Sequence, residues 1–148
     1  MDPDYYAEDQ NCIDRLVNEW KAFGKIIIDY DFDNTVFDYH NKGLQFEQVP
    51  DLLRQAQSIG AYCYCFTCDS ENRHPQILEY LRKHRIPCDG INVDQRVVTY
   101  GGIKPYYNIL LDDRAGLGSA CRVLAAAIEE MRIYKHRERV SASEDVEH

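Results

Sequence analysis

The segment of residues 26–36 constrains this chain most, because three isoleucines there lead into the alternating aspartates Asp29, Asp31 and Asp33. A continuous apolar run of this kind is typical of a strand that is buried on both faces. Carboxylates at the end of a buried strand cost free energy unless a cation or a chemical step uses them. The segment therefore predicts a strand over residues 25–31 that delivers acidic side chains to a functional site.

The rest of the chain alternates between helix and strand patterns. Apolar residues at helical spacing predict helices at residues 12–22, 49–59, about 74–84 and about 117–137. Asn11 is predicted to cap the first helix and Gly24 to end it. Apolar runs predict further strands at residues 61–67, 91–93 and 107–111. This alternation predicts an α/β fold, with a mostly parallel sheet and helices on both faces.

In sheets of this type, ligands bind at the carboxyl ends of the strands. Asp31, Thr67 and Asp112 all fall at predicted carboxyl ends, on three different strands. Since these ends share one edge of the sheet, the sequence predicts that the three side chains meet there.

The length and composition of the chain indicate one globular domain. The chain has 148 residues, of which 45% are hydrophobic, so it has room for a single core. Its formal charge of -8 argues against nucleic acid or an anionic membrane as a partner.

No apolar run is long enough to span a membrane, and the first ten residues lack a signal-peptide pattern. We expect a cytoplasmic protein with one domain over residues 1–140 and a disordered acidic tail over 141–148.

The six cysteines are expected to be reduced thiols rather than disulfides. Cys63 and Cys65 lie inside a strand-like apolar run, and no export signal accompanies them. A zinc site formed with Cys68 is not supported, because no CxxC pair or Cys/His cluster follows.

The order of the polar residues resembles that of the haloacid dehalogenase-like (HAD) phosphohydrolases. Asp31-Phe32-Asp33-Asn34-Thr35-Val36 is similar to the first motif of that family, DxDGT followed by an apolar residue. Thr67 resembles the second motif, Lys104 the third and Asp112-Asp113 the fourth, within residues 25–118. The resemblance implies a three-layer Rossmann-like fold and a magnesium-dependent phosphomonoester hydrolase.

The resemblance also implies a role for each catalytic residue. Asp31 would be the nucleophile that accepts the phosphoryl group as an aspartyl-phosphate. Asp33 would protonate the leaving oxygen and then activate water. Thr67 would hydrogen-bond a phosphoryl oxygen, and Lys104 would neutralise that oxygen and Asp31.

The implied metal ion is Mg²⁺, which prefers oxygen ligands. By the resemblance, its ligands would be a carboxylate of Asp31, the backbone carbonyl of Asp33 and a carboxylate of Asp112. Asp113 would reach the ion directly or through a water molecule.

Two positions depart from the family pattern. Asp29 stands where an apolar residue is usual, so it is either a buried, hydrogen-bonded aspartate or the first member of a shifted pair, Asp29 and Asp31. Thr35 and Val36 favour the unshifted register. Asn34 replaces the common glycine, and asparagine tolerates left-handed backbone angles better than most residues.

The rival family with similar residue types is the receiver domain, which places its phosphorylated aspartate on the third strand and its lysine last. Here Asp112-Asp113 follows Lys104, so the order argues against a receiver domain.

The sequence also bears on the substrate. The segments between the motifs, residues 34–66 and 68–103, are already occupied by predicted helices and connections, so no cap domain is expected. An open site admits a large substrate or is closed by a neighbouring subunit. Asn72 and Arg73 follow Thr67 and are candidates to bind a phosphorylated small molecule. Two other functions stay open, namely a non-enzymatic phosphate-binding module and a phosphatase that acts on nucleic-acid ends or another macromolecule.

Overall fold

The computed structural model of the chain describes residues 4–93 and 105–146. Within these ranges, α-helices lie at Asp9–Phe23 (α1), Gln48–Gln57 (α2), His74–Lys83 (α3) and Leu117–Val146 (α4). Strands lie at Ile26–Asp31 (β1), Ala61–Phe66 (β2), Gly90–Ile91 (β3) and Ile109–Leu111 (β4). Single turns of 3-10 helix lie at Tyr5–Ala7 and Glu71–Arg73. Each predicted helix and strand is present, and most bounds differ from the prediction by a few residues.

The strands of the described ranges form one all-parallel sheet in the order β3-β2-β1-β4. β1 pairs with β2 along its whole length, with Ile26 opposite Ala61, and with β4 from Ile28 to Tyr30. Parallel neighbours need crossover connections, and α2 and α3 lie in the connections on either side of β2. The predicted α/β class with a parallel sheet is confirmed.

β1 lies inside the sheet, and its burial follows from that position. Ile26, Ile27, Ile28 and Tyr30 are buried, as expected for a strand with neighbours on both edges and cover on its faces. Asp29 is also fully buried, in the middle of the strand. The carboxyl end of β1 is less covered, so Asp31 is partly exposed where the sheet ends.

The first helix shows one correct and one wrong prediction about its ends. Gly24 ends α1 with a left-handed φ of 71°, and its N–H donates to the carbonyl of Trp20 at 2.8 Å. Asn11 does not cap the helix, because α1 already begins at Asp9. The Asn11 side chain instead donates to the carbonyl of Tyr5 in the preceding turn, at 2.8 Å.

The last helix is longer than predicted. α4 continues to Val146, so residues 141–146 are helical and exposed, where disorder was predicted. An established helix extends at low cost through residues of moderate propensity, and this segment has neither glycine nor proline to stop it. The buried stripe of α4 includes Cys121, Leu124, Ile128 and Met131, and the helix packs against α1 and α2.

Two further expectations concern the thiols and the membrane. All six cysteines are free thiols, and burial raises the pKa of Cys63, Cys65 and Cys121. None of the helices in the described ranges has the length and apolar character that crossing a bilayer requires.

Candidate active site

The carboxyl edge of the sheet brings three of the predicted site residues together. Asp31 ends β1, Thr67 directly follows β2, and Asp112 directly follows β4. All three line one cavity of about 350 Å³. The complete lining, within the described part of the chain, is Asp31, Phe66, Thr67, Cys68, Asn92, Val93, Pro105 and Asp112. The prediction that these three side chains meet at one edge is therefore confirmed.

Three carboxylates form the acidic centre of this edge. One oxygen from each of Asp31, Asp112 and Asp113 lies within 4.8 Å of the other two. Like charges at this spacing repel strongly unless protons or a cation compensate them. Asp29 is not part of the cluster, although it lies only two residues before Asp31. The cluster can hold a metal ion, because its donors are hard carboxylate oxygens at the carboxyl ends of two adjacent strands.

Thr35 joins the two halves of the cluster. Its buried hydroxyl donates to Asp31 Oδ2 at 3.1 Å and lies 3.4 Å from Asp113 Oδ1. The same oxygen accepts the backbone N–H of Asp113 at 3.2 Å. Thr35 therefore fixes the loop after β1 to the loop after β4. The motif comparison included Thr35 without assigning it a role, so sequence reasoning missed this function.

The turn after β1 depends on a left-handed residue. Asn34 has a φ of 60°, which supports the expectation that asparagine serves here in place of glycine. Its N–H donates to the carbonyl of Phe37 at 2.8 Å, and Asp33 forms a β-bridge with Phe37. This turn holds Asp33, partly exposed, beside the end of β1.

The surroundings of Asp31 favour its protonated form. Burial, a hydrogen bond with Asp113 and repulsion from Asp112 raise the pKa of Asp31 from its ordinary value of 3.8 to about 7, against the opposing hydrogen bond from Thr35. A cation at the cluster would lower the pKa of Asp31, since positive charge stabilises a carboxylate.

Asp33 is perturbed in the same direction. Burial and the nearby carboxylate of Asp69 raise the pKa of Asp33, while the charge of Arg73 lowers it. A carboxyl group with a raised pKa can hold a proton closer to neutral pH, which is what a general acid requires.

The raised pKa of Asp31 predicts how the metal-free protein responds to pH. As pH rises from about 4 to about 7, the unfolded chain releases a proton that the folded chain retains, so this group lowers the stability of the fold. Asp31→Asn removes the effect. We therefore expect the melting temperature of Asp31→Asn to exceed that of the parent by a margin that grows over this range. Thermal melts in EDTA measure the margin, and a margin independent of pH would contradict the prediction.

Thr67 is held by an asparagine that the motif comparison did not identify. The Thr67 N–H donates to Asn92 Oδ1 at 2.9 Å, and Asn92 Nδ2 donates to the Thr67 carbonyl at 2.7 Å. The Thr67 hydroxyl accepts the N–H of Asp69 at 3.1 Å. The signal available in the sequence was a polar residue inside the strand predicted at residues 91–93.

The two predicted substrate-binding residues do not line the cavity. Asn72 and Arg73 are exposed and lie in the 3-10 turn before α3. Arg73 Nε lies 3.6 Å from Asp69 Oδ2, so this guanidinium faces Asp69 rather than the described cavity. Lys104, the predicted third-motif lysine, lies outside the described residues.

The aromatic residues after the first motif differ in their surroundings. Phe37 stacks on Phe32 with ring centroids 4.9 Å apart, and it meets Tyr80 edge to face at 5.0 Å. This packing fixes Phe32 and Phe37, in the segment after β1, to α3. Tyr39 is exposed and contacts His40 edge to face.

Comparison of the chain with protein-family models, curated proteins and solved structures found no match in any of the three. The motif resemblance and the geometry of the site are therefore the basis for inferring a function.

Proposed function

We propose that this chain is a magnesium-dependent phosphomonoester hydrolase of the HAD type, with a three-layer Rossmann-like fold and no cap domain. The observation that carries the proposal is the meeting of Asp31, Asp112 and Asp113, with carboxylate oxygens within 4.8 Å of one another. Thr67 lines the same cavity as Asp31 and Asp112, so a residue with a hydroxyl donor lies next to the acids. This is the combination that phosphoryl transfer through a carboxylate needs.

The donor set fits Mg²⁺. Asp31, Asp112 and Asp113 would supply carboxylate oxygens, and Asp33 would add its backbone carbonyl. Oxygen-only ligation with positions left for water is what this ion prefers. When bound, it would neutralise charge on the phosphoryl oxygens and on the carboxylates.

In the first step, an oxygen of Asp31 forms a bond to phosphorus while the bond from phosphorus to the leaving oxygen breaks. Asp33 gives its proton to that oxygen, so the product leaves as a neutral alcohol and Asp33 becomes a carboxylate. Thr67 would donate a hydrogen bond from its hydroxyl to a phosphoryl oxygen, and Lys104 would neutralise charge on that oxygen and on Asp31.

In the second step, Asp33 takes a proton from a water molecule whose oxygen attacks phosphorus. The bond between Asp31 and phosphorus breaks, which releases inorganic phosphate and regenerates the Asp31 carboxylate. Asp33 ends this step protonated, as it began the first. The raised pKa of Asp33 supports this alternation between acid and base.

The proposed substrate is a phosphorylated small molecule. The described cavity of about 350 Å³ has room for a phosphoryl group and part of its leaving group. The apolar residues Phe66, Val93 and Pro105 also line it. The formal charge of -8 opposes a polyanionic partner such as a nucleic-acid end.

Turnover of a generic aryl phosphate tests the proposal. We expect para-nitrophenyl phosphate to be hydrolysed in millimolar Mg²⁺ and to be stable when EDTA replaces the metal, because uncompensated carboxylates repel the substrate. Release of nitrophenol is read by absorbance. A panel of nucleotides, sugar phosphates and 3′-phosphate oligonucleotides then identifies the substrate class. Absence of Mg²⁺-dependent turnover across the whole panel would overturn the proposal in favour of a non-enzymatic module.

A further inference from the structure

The end of β2 is held to the next strand by a side chain rather than by a backbone group. β2 and β3 pair at only two positions, Tyr64 with Gly90 and Cys65 with Ile91. The ladder continues with the Asn92 N–H, which donates to the Cys65 carbonyl at 3.0 Å. In a regular parallel ladder, the next bond would run from the Thr67 N–H to the backbone carbonyl of Asn92.

At this point the side-chain amide replaces the backbone. Asn92 has a left-handed φ of 50°, which takes its backbone out of the extended conformation. The Thr67 N–H donates to Asn92 Oδ1 at 2.9 Å, and Asn92 Nδ2 donates to the Thr67 carbonyl at 2.7 Å. Both peptide groups that flank the Thr67 side chain are therefore bound by one rigid, planar amide.

The clamp determines where the Thr67 hydroxyl lies. With both neighbouring peptide groups held, the Cα–Cβ bond of Thr67 has a fixed direction. The hydroxyl oxygen accepts the N–H of Asp69 at 3.1 Å, so its own proton is available to a further acceptor. Thr67 and Asn92 both line the cavity that contains Asp31 and Asp112.

We propose that Asn92 is a positioning residue, which aims the Thr67 hydroxyl at the phosphoryl group through its two hydrogen bonds to the Thr67 backbone. This inference rests on the proposed phosphatase function and adds a residue to it. Asn92 acts through Thr67 and not by contact with the reacting atoms. Misplacement of a binding group by about 1 Å is enough to cost up to about 10²-fold in rate.

The chain provides a matched control for the clamp. Asp89 Oδ2 accepts the N–H of Cys63 at 2.8 Å, and the Asp89 N–H donates to the Cys63 carbonyl at 2.6 Å. This second clamp also fastens the segment around β3 to β2, but it holds a residue four positions before Thr67. Asp89 does not line the cavity. Loss of the Asp89 carboxylate or of the Asn92 amide should lower stability, whereas only loss of the Asn92 amide should disturb Thr67.

A double-mutant cycle tests the inference. Asn92→Gly removes the amide, and glycine adopts a φ of 50° without strain. We expect Asn92→Gly to lower kcat/KM by about 10-fold to 100-fold in the parent and by less than about 3-fold in a Thr67→Val background. Asp89→Ala should lower the melting temperature with less than about 3-fold change in kcat/KM. All variants are assayed well below their melting temperatures.

A binding measurement separates this inference from the proposed function. The same cycle is run on the Kd of inorganic phosphate in Mg²⁺, measured by calorimetry. The positioning role would be overturned if Asn92→Gly weakened phosphate binding equally with and without the Thr67 hydroxyl, or if Asp89→Ala weakened it as much. The proposed phosphatase function would still stand in that case if the parent turns over substrate. If the parent binds phosphate but turns over no substrate, the proposed function is overturned. The binding cycle then still shows whether Asn92 positions Thr67. A parent that neither turns over nor binds phosphate would overturn both.

Discussion

Asp31→Asn is expected to abolish phosphomonoester hydrolysis, with a loss in kcat on the order of 10⁴-fold or more. An amide lacks the charged oxygen that attacks phosphorus, so the covalent step is lost. The fold should persist, because asparagine has nearly the same shape as aspartate and removes one charge from a crowded cluster. Steady-state assays in Mg²⁺ measure the loss, and circular dichroism checks the fold.

The matched control is Asp29→Asn on the same strand. Asp29 is fully buried and is not part of the carboxylate cluster. The folded fraction of this variant should therefore keep most of the parent's activity. Retained activity in Asp31→Asn together with loss in folded Asp29→Asn would move the nucleophile by two residues. It would also show that the cluster of Asp31, Asp112 and Asp113 does not support the proposed function.

Magnesium is expected to stabilise the fold as well as to support turnover. Only the folded chain assembles Asp31, Asp112 and Asp113, so a cation that binds there stabilises the fold by about 2.7 kcal/mol at 100 times its Kd. For a domain of this size, that corresponds to a rise in melting temperature of roughly 5–10 °C. Thermal melts across a titration from EDTA to millimolar Mg²⁺ measure the rise.

Variants make the metal prediction specific. Asp112→Asn removes a ligand charge and should weaken the response to Mg²⁺, while Asp14→Asn removes an equal charge from the exposed face of α1 and should not. Calcium should also stabilise the fold yet support little turnover, because its larger coordination shell displaces the nucleophile from phosphorus. A folded parent whose melting temperature ignores millimolar Mg²⁺ would contradict the metal centre.

Much of the fold was predictable because its strands are apolar runs and its helices have one apolar face. Ile26–Ile28 is too apolar for an exposed position, and Gly24 carries the left-handed conformation that ends α1. The meeting of Asp31, Thr67 and Asp112 followed from strand direction alone, since parallel strands bring their carboxyl ends to one edge.

Other features depend on geometry that no local pattern contains. The bonds from Asn92 to Thr67 cross 25 positions of sequence, and those between Thr35 and Asp113 cross 78. Arg73 was predicted near the substrate from its place after Thr67, but it faces Asp69. Pairings of this kind depend on how the strand ends are placed relative to one another, and periodicity carries no information about that placement.

The position of β1 inside the sheet has a consequence for a chain that is still being synthesised. β2, which pairs with one edge of β1, begins at Ala61, whereas β4, which pairs with the other edge, begins only at Ile109. That second edge of β1 therefore gains its strand only after most of the chain has been made. An exposed, isoleucine-rich edge is a template for pairing with another molecule. Asp29, in the middle of that edge, opposes such pairing through its charge. We therefore expect Asp29, which the finished fold buries, to disfavour aggregation of the unfinished chain.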